Sequence, residues 1–148
     1  MSAVVSNHQI GIDAKPEDVF AYVSDLTKHG EWSENLTVET VSEGEAAVGS
    51  EYRSTGKMMG KQVQNTIRIT EHESPSRFCF EATEGSNDFL QEITLSQQGE
   101  GTLLERRVSM EMNPVMALMF KLLAGPMVAN PSMNKSLKNL KARMERSA

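Results

Sequence analysis

The chain has 148 residues, 39% of them hydrophobic and 24% charged, with a net charge of −5; these are the proportions of one globular domain over 1–148, large enough to bury a core or a core plus an internal cavity. No run approaches the roughly 18 to 20 apolar residues of a membrane span, and Met1 to Gln9 lacks the positive and apolar regions of a secretory signal, so a cytoplasmic protein is expected. Residues 1–134 carry ten basic against nineteen acidic side chains and residues 135–148 five against one, an acidic body that argues against nucleic acid as the main partner.

Val4 to Asp13 alternates, with Val4, Ser6, His8, Ile10 and Ile12 on one face, which predicts a strand. Pro16 suits a first helical position, Glu17 and Asp18 place negative charge in the first turn, and Val19, Phe20 and Val23 form the buried stripe of a short helix. A second short helical piece is expected over Leu26 to Trp32. From Leu36 to Met112 the period becomes two, and turn residues at Gly44, Gly49, Gly60, Ser74-Pro75, Gly85-Ser86 and Gly99 to Gly101 divide it. This predicts strands near 36–42, 50–58, 61–71, 77–84, 87–97 and 101–112, an antiparallel meander with one wet and one covered face.

The tail has two halves. From Pro131 onward Met133, Leu137, Leu140 and Met144 share one helical stripe, and Lys135, Lys138, Lys141, Arg143 and Arg146 take the other faces, as on a helix docked by one side. Val115 to Ala129 carries only Lys121 and is apolar nearly all round, with breaks at Gly125-Pro126 and Asn130-Pro131. It reads as the first half of an interrupted C-terminal helical element, serving either as a pocket lid or as a contact surface.

The order strand, two short helices, six strands, long helix resembles the helix-grip fold of the START-related superfamily (SRPBCC), which includes the major pollen allergen, polyketide cyclases and lipid-transfer domains. The stretch from Ile10 to Phe20 is similar to the family's strand-to-helix opening. So are Ser24-Asp25-Leu26 followed by Trp32, Val48-Gly49, Ile69-Thr70-Glu71 leading to Pro75, Gly101-Thr102, and Leu137 to Lys141. Within the superfamily the chain is most similar to the polyketide cyclase/dehydratase and lipid-transport-like group. The resemblance implies an α+β fold: a seven-stranded antiparallel sheet wrapped around a long C-terminal helix, two short helices after the first strand, and a pocket between sheet and helix.

Sites with strong sequence signatures are not found. His8, His29 and His72 are far apart and in no metal-ligand pattern. Gly56 to Gln62 misses the phosphate-loop spacing and has Gln62 where Ser or Thr is needed, so a hairpin turn is expected. The lone Cys79 reads as a buried thiol, and the sequons at Asn35 and Asn134 carry no meaning without secretion. No cofactor is implied.

What remains is polar side chains on faces otherwise apolar. The strand phase sends Tyr52, Ser54, Asn65, Gln91 and Arg106 inward with Ile67, Phe80, Ile93, Val108 and Met110. A buried Arg106 must meet a carboxylate, a ligand or water; alternatively it lies at a strand end and reaches solvent, or the phase slips by one residue. His8 is read as a core histidine or a proton-transfer group, and Trp32 as a plug packing the helix pair or a ring that stacks on a ligand. Methionine is abundant, ten in all, and Met116, Met119 and Met133, with Phe120, flank the expected pocket, where flexible thioethers suit ligands of varied shape. The leading expectation is a hydrophobic small-molecule ligand (lipid, polyketide or isoprenoid) with Arg106, Asn65 and Tyr52 at its polar end. A cyclase or dehydratase enzyme is one alternative. A protein-interaction module using 115–129, which leaves a homodimer open, is another.

Overall fold

The computed structural model describes residues 2–33, 36–58, 61–83, 88–112, 114–119, 121–122 and 130–147. The chain runs β1 (Ser2–Ile12), α1 (Pro16–Val23), a 3-10 helix (Leu26–Glu31), β2 (Leu36–Thr40), β3 (Glu51–Met58), β4 (Lys61–Glu73), β5 (Arg77–Thr83), β6 (Phe89–Gln98), β7 (Gly101–Met112), α2 (Pro114–Met119) and α3 (Asn130–Ser147). Every expected strand is present, with ends within two residues of those read from the alternation.

The seven strands form one antiparallel sheet in the order β1-β7-β6-β5-β4-β3-β2. β2 to β7 follow as a meander, while β1 and β2, joined through the two short helices, lie at opposite edges. β1 pairs with β7 along its whole length, from Ser2 opposite Met112 to Ile12 opposite Thr102. The seam is tightened where Gly101 passes Ile12, since a Cβ there would lie 2.5 Å from the Ile12 carbonyl oxygen. Thr102 Oγ1 also donates to the Ala14 carbonyl at 2.7 Å.

One face of the sheet is covered. Ile12, Leu104, Leu95, Ile93, Phe78, Phe80, Ala82, Ile67, Tyr52 and Val38 form a continuous core with Val19, Phe20 and Val23 of α1, Leu26 and Trp32 around the 3-10 helix, and Leu137, Leu140 and Met144 of α3. The other face is wet and charged, with Arg68 paired to Glu51 at 2.7 Å and Arg77 bridging Glu71 and Glu92 at 2.7 and 2.9 Å.

In β4 the ladder slips between Ile69 and Glu71. Strict alternation would put His72 on the face opposite Ile69, but the bulge reverses the parity. His72 therefore meets the Phe20 and Phe78 rings edge-on, with centroids 5.2 and 6.0 Å away.

α3 runs beside β1. Lys141 donates to the Gly11 carbonyl at 2.9 Å and to Glu145, and Glu145 in turn accepts from the Asp13 amide at 2.9 Å. On its far side Asn139 donates to the Trp32 carbonyl at 3.3 Å, and Arg143 reaches Glu31 at 3.4 Å. The 3-10 helix packs against β2, so α3 and this helix together bridge the two edges of the sheet. Ala117 of α2 packs on Val4 beside Met110, whereas Val115, Leu118, Met119 and Leu122 are exposed. The expected kink at Gly125-Pro126 lies outside the described residues.

Candidate ligand site on the covered face

Adjacent strands place His8, Arg106, Ile93 and Phe78 in one cross-strand row, and Ser6, Val108, Gln91 and Phe80 in the next. Each row sets two polar side chains beside two apolar ones, and the Gln91 side chain and the Arg106 guanidinium are buried against the apolar core, so they must find partners within reach. They find each other: Arg106 donates from Nε and Nη2 to Gln91 Oε1 at 2.9 and 2.6 Å. Gln91 is 1% exposed. Arg106 as a whole is half-buried, but its guanidinium is enclosed, with its carbon 5.6 Å from the centroid of the Trp32 ring, in cation–π range.

Trp32 is held from behind by His29, at 4.7 Å between ring centroids, and His29 also borders Phe80 at 6.0 Å. His29 Nε2 lies 2.8 Å from the Val23 carbonyl oxygen, which fixes the proton on that nitrogen. Burial first, and the Arg106 charge in addition, pull the His29 pKa down to about 4, against the pull of the Val23 carbonyl and Asp25. The ring is neutral at physiological pH. Burial holds the Arg106 guanidinium down at about 10, still protonated at neutral pH, and no carboxylate among the described residues pairs with it.

Among the described residues, four buried polar atoms in this neighbourhood lack a hydrogen-bond partner: Arg106 Nη1, Gln91 Nε2, Trp32 Nε1 and His8 Nε2. The first three are obligate donors. His8 sits opposite Arg106 on β1, and its Nδ1 lies 3.0 Å from Asn134 Oδ1 of α3. With that oxygen accepting, Nδ1 carries the proton of the neutral ring and leaves Nε2 as an acceptor.

The sequence matches the family described as polyketide cyclase/dehydrase and lipid transport over residues 3–145. The chain belongs to this family. A START superfamily protein from Mycobacterium smegmatis has the same architecture, with a TM-score of 0.80 at 18% identity over 97% of this chain and 99% of that one. A protein from Thermus thermophilus gives 0.75 at 22% identity, covering 99% of both chains. The major latex-like protein 151 of Panax ginseng gives 0.70 at 14%, covering 96% and 97%. At these identities the likeness is one of fold, and the sheet with its C-terminal helix is the helix-grip fold. Among proteins with curated descriptions, none matches the sequence.

In this member of the polyketide cyclase/dehydrase and lipid transport family, the residues singled out by strand phase divide into two groups. Gln91, Ile93, Arg106 and Val108 gather on β6 and β7, with Phe80 beside them on β5. Tyr52, Ser54, Asn65 and Ile67 are buried on the same face at the β3–β4 end. There burial, and then the charge of Asp25, raise the Tyr52 phenol above its usual pKa. Met110 is half-buried between the sheet and Ala117. Met119 differs from expectation: it is exposed, because the buried side of α2 belongs to Ala117. The side chains of Met116, Phe120 and Met133 lie outside those described. Sequence reading does not place His29 at this site and favours a plug over a ligand-stacking role for Trp32. Their spacing of three in a short helical segment was the available signal that both rings face one way.

Two depressions, of about 480 and 300 Å³, lie on the wet face and are lined by charged side chains such as Arg77, Glu92 and Arg107, or Arg53, Arg68 and Glu81. Among the described residues no three His, Cys, Asp or Glu side chains converge on a point suited to a metal, and no helix is long and apolar enough to cross a membrane.

Proposed function

We propose that this chain binds or carries a hydrophobic small molecule, of lipid, polyketide or isoprenoid type, between the covered face of the sheet and α3. The observation that carries the reading is the set of unpartnered polar atoms on Arg106, Gln91 and Trp32 within an otherwise apolar surface. Binding sites for such molecules are mostly apolar, with a few placed polar groups that fix orientation. Membership of a family described by polyketide cyclisation and lipid transport supports the same reading. Arg106 and Gln91 serve as the orienting groups, and Tyr52 and Asn65 contribute at the other end of the face.

The test is native mass spectrometry of freshly purified protein, with solvent extraction of whatever is released, followed by titration of added hydrophobic compounds. Trp32 is the only tryptophan, so its emission reports arrival at the site. A co-purifying hydrophobic compound near equal stoichiometry, or saturable change in Trp32 emission, is expected. A clean mass together with an emission unmoved by any lipid, isoprenoid or aromatic polyketone would refute the reading.

A second reading, a cyclase or dehydratase, is favoured by one specific arrangement. His8 is oriented by Asn134, faces Arg106 across the strand pair, and keeps Nε2 without a partner, which suits a general base beside an electrophile. A bell-shaped pH–rate profile on an aromatic polyketone, abolished by His8→Ala, would establish it; no turnover of such a compound would leave binding alone.

A further inference from the structure

Resting on the reading of this face as a hydrophobic-ligand site, we propose that the ligand carries a carboxylate, seated on the free edge of the Arg106–Gln91 pair with Trp32 beside it. Gln91 Oε1 occupies only the Nε and Nη2 positions of the guanidinium. That leaves Nη1 as a buried donor, with Gln91 Nε2 one amide group away and Trp32 Nε1 on the ring beneath. All three are donors with no acceptor capacity, so they select a group that only accepts. A neutral carbonyl would satisfy some of these hydrogens but not the charge. The guanidinium is enclosed and unmatched by any carboxylate of the described residues, and neither neighbouring imidazole supplies a negative charge: His29 is held neutral, and His8 faces Arg106 across the strand pair. A buried unpaired charge is costly, and a ligand carboxylate supplies both its counter-charge and its missing acceptors. The apolar side chains of Ile93, Phe80 and Val108 around it place the rest of such a molecule in hydrocarbon surroundings.

The experiment is competition of straight-chain acids, from hexanoic to hexadecanoic, against the matching primary alcohols for displacement of the neutral fluorophore N-phenylnaphthylamine. Wild-type protein is expected to prefer the acid at the best-fitting length by about tenfold or more, the size of a charge-assisted hydrogen-bond pair. In Arg106→Met the acid-to-alcohol ratio should fall toward one. Equal affinities for acid and alcohol in wild-type protein would overturn the carboxylate while leaving hydrophobic binding in place. Failure of the fluorophore and of both series to bind would overturn both. A measurement on wild-type protein alone guards against a variant that misfolds: the carboxyl carbon of bound carbon-13-labelled acid, followed by NMR, should stay ionised at pH values where the free acid is protonated. A bound carboxyl titrating at or above its free value would equally overturn the proposal.

Discussion

At the scale of single residues, Arg106 is the side chain on which the covered face turns. Strand phase predicts that it points inward; the cation–π contact with Trp32 and the fork onto Gln91 could not be read from the chain, because they depend on the register of β6 with β7 and on where the 3-10 helix folds down. The pair gives a testable coupling. Gln91→Leu strips the guanidinium of its acceptor, and Arg106→Met leaves a buried amide unsatisfied, so each single change should cost about 1 to 3 kcal/mol. The double variant replaces the whole polar pair by apolar groups and should recover most of that loss, or exceed wild type, in urea unfolding without ligand. Additive losses in the double-mutant cycle would mean that the two side chains do not act as a unit.

His29 makes a second prediction. Its folded pKa of about 4 lies below the unfolded value of about 6.5. The unfolded state therefore binds the proton first, and stability is full above about pH 6.5 and lost as the pH falls toward 4, by about 3 kcal/mol at roughly 1.4 kcal/mol per unit. His29→Gln, which retains a donor for the Val23 carbonyl, should flatten this acid limb in urea titrations compared between pH 4 and pH 7. Cys79 offers a third: burial, with Glu71 second, pushes its thiol up to about 12, so alkylation by iodoacetamide should be slow in native protein and fast in urea.

Among the elements, α3 shows how far periodicity carries. The stripe of Leu137, Leu140 and Met144 was legible, and all three are buried. Spacing alone predicts a solvated row of cations on the opposite face, yet Lys141 caps the Gly11 carbonyl and Arg143 reaches Glu31, which also accepts from the Tyr22 hydroxyl at 2.8 Å. Sequence spacing indicates which side chains share a helix face but not which backbone oxygens they will meet. Because those polar contacts are partly exposed, the apolar stripe should dominate. Leu140, fully buried, should cost about 2 to 5 kcal/mol on truncation to Ala, and Lys141→Met less than about 1 kcal/mol, both read from urea midpoints. The β4 bulge marks the complementary limit. Alternation identifies a strand but does not announce an inserted residue, and so strict alternation carries His72 to the wrong side of the sheet.

Over the whole molecule, fold class was the most legible property, because it depends on the order and period of elements rather than on any one contact. The site was legible only as a set of inward polar residues. Its convergence comes from long-range pairings: Trp32 from the segment after α1, Gln91 and Arg106 from adjacent strands, and His8 and Asn134 from near the two ends of the chain. β1 lies along β7, and some ninety residues separate Ile12 from its partner Thr102. On the ribosome, at about 5 to 20 residues per second, β1 must wait on the order of 5 to 20 seconds before the strand that pairs with it has been made. During that interval its backbone edge is open to other strands, and Arg106, on that late strand, has not yet entered the interior. Until β7 emerges the β1 edge stays unpaired, and a ligand can meet the Arg106 guanidinium only once that later strand has been made and has closed against β1.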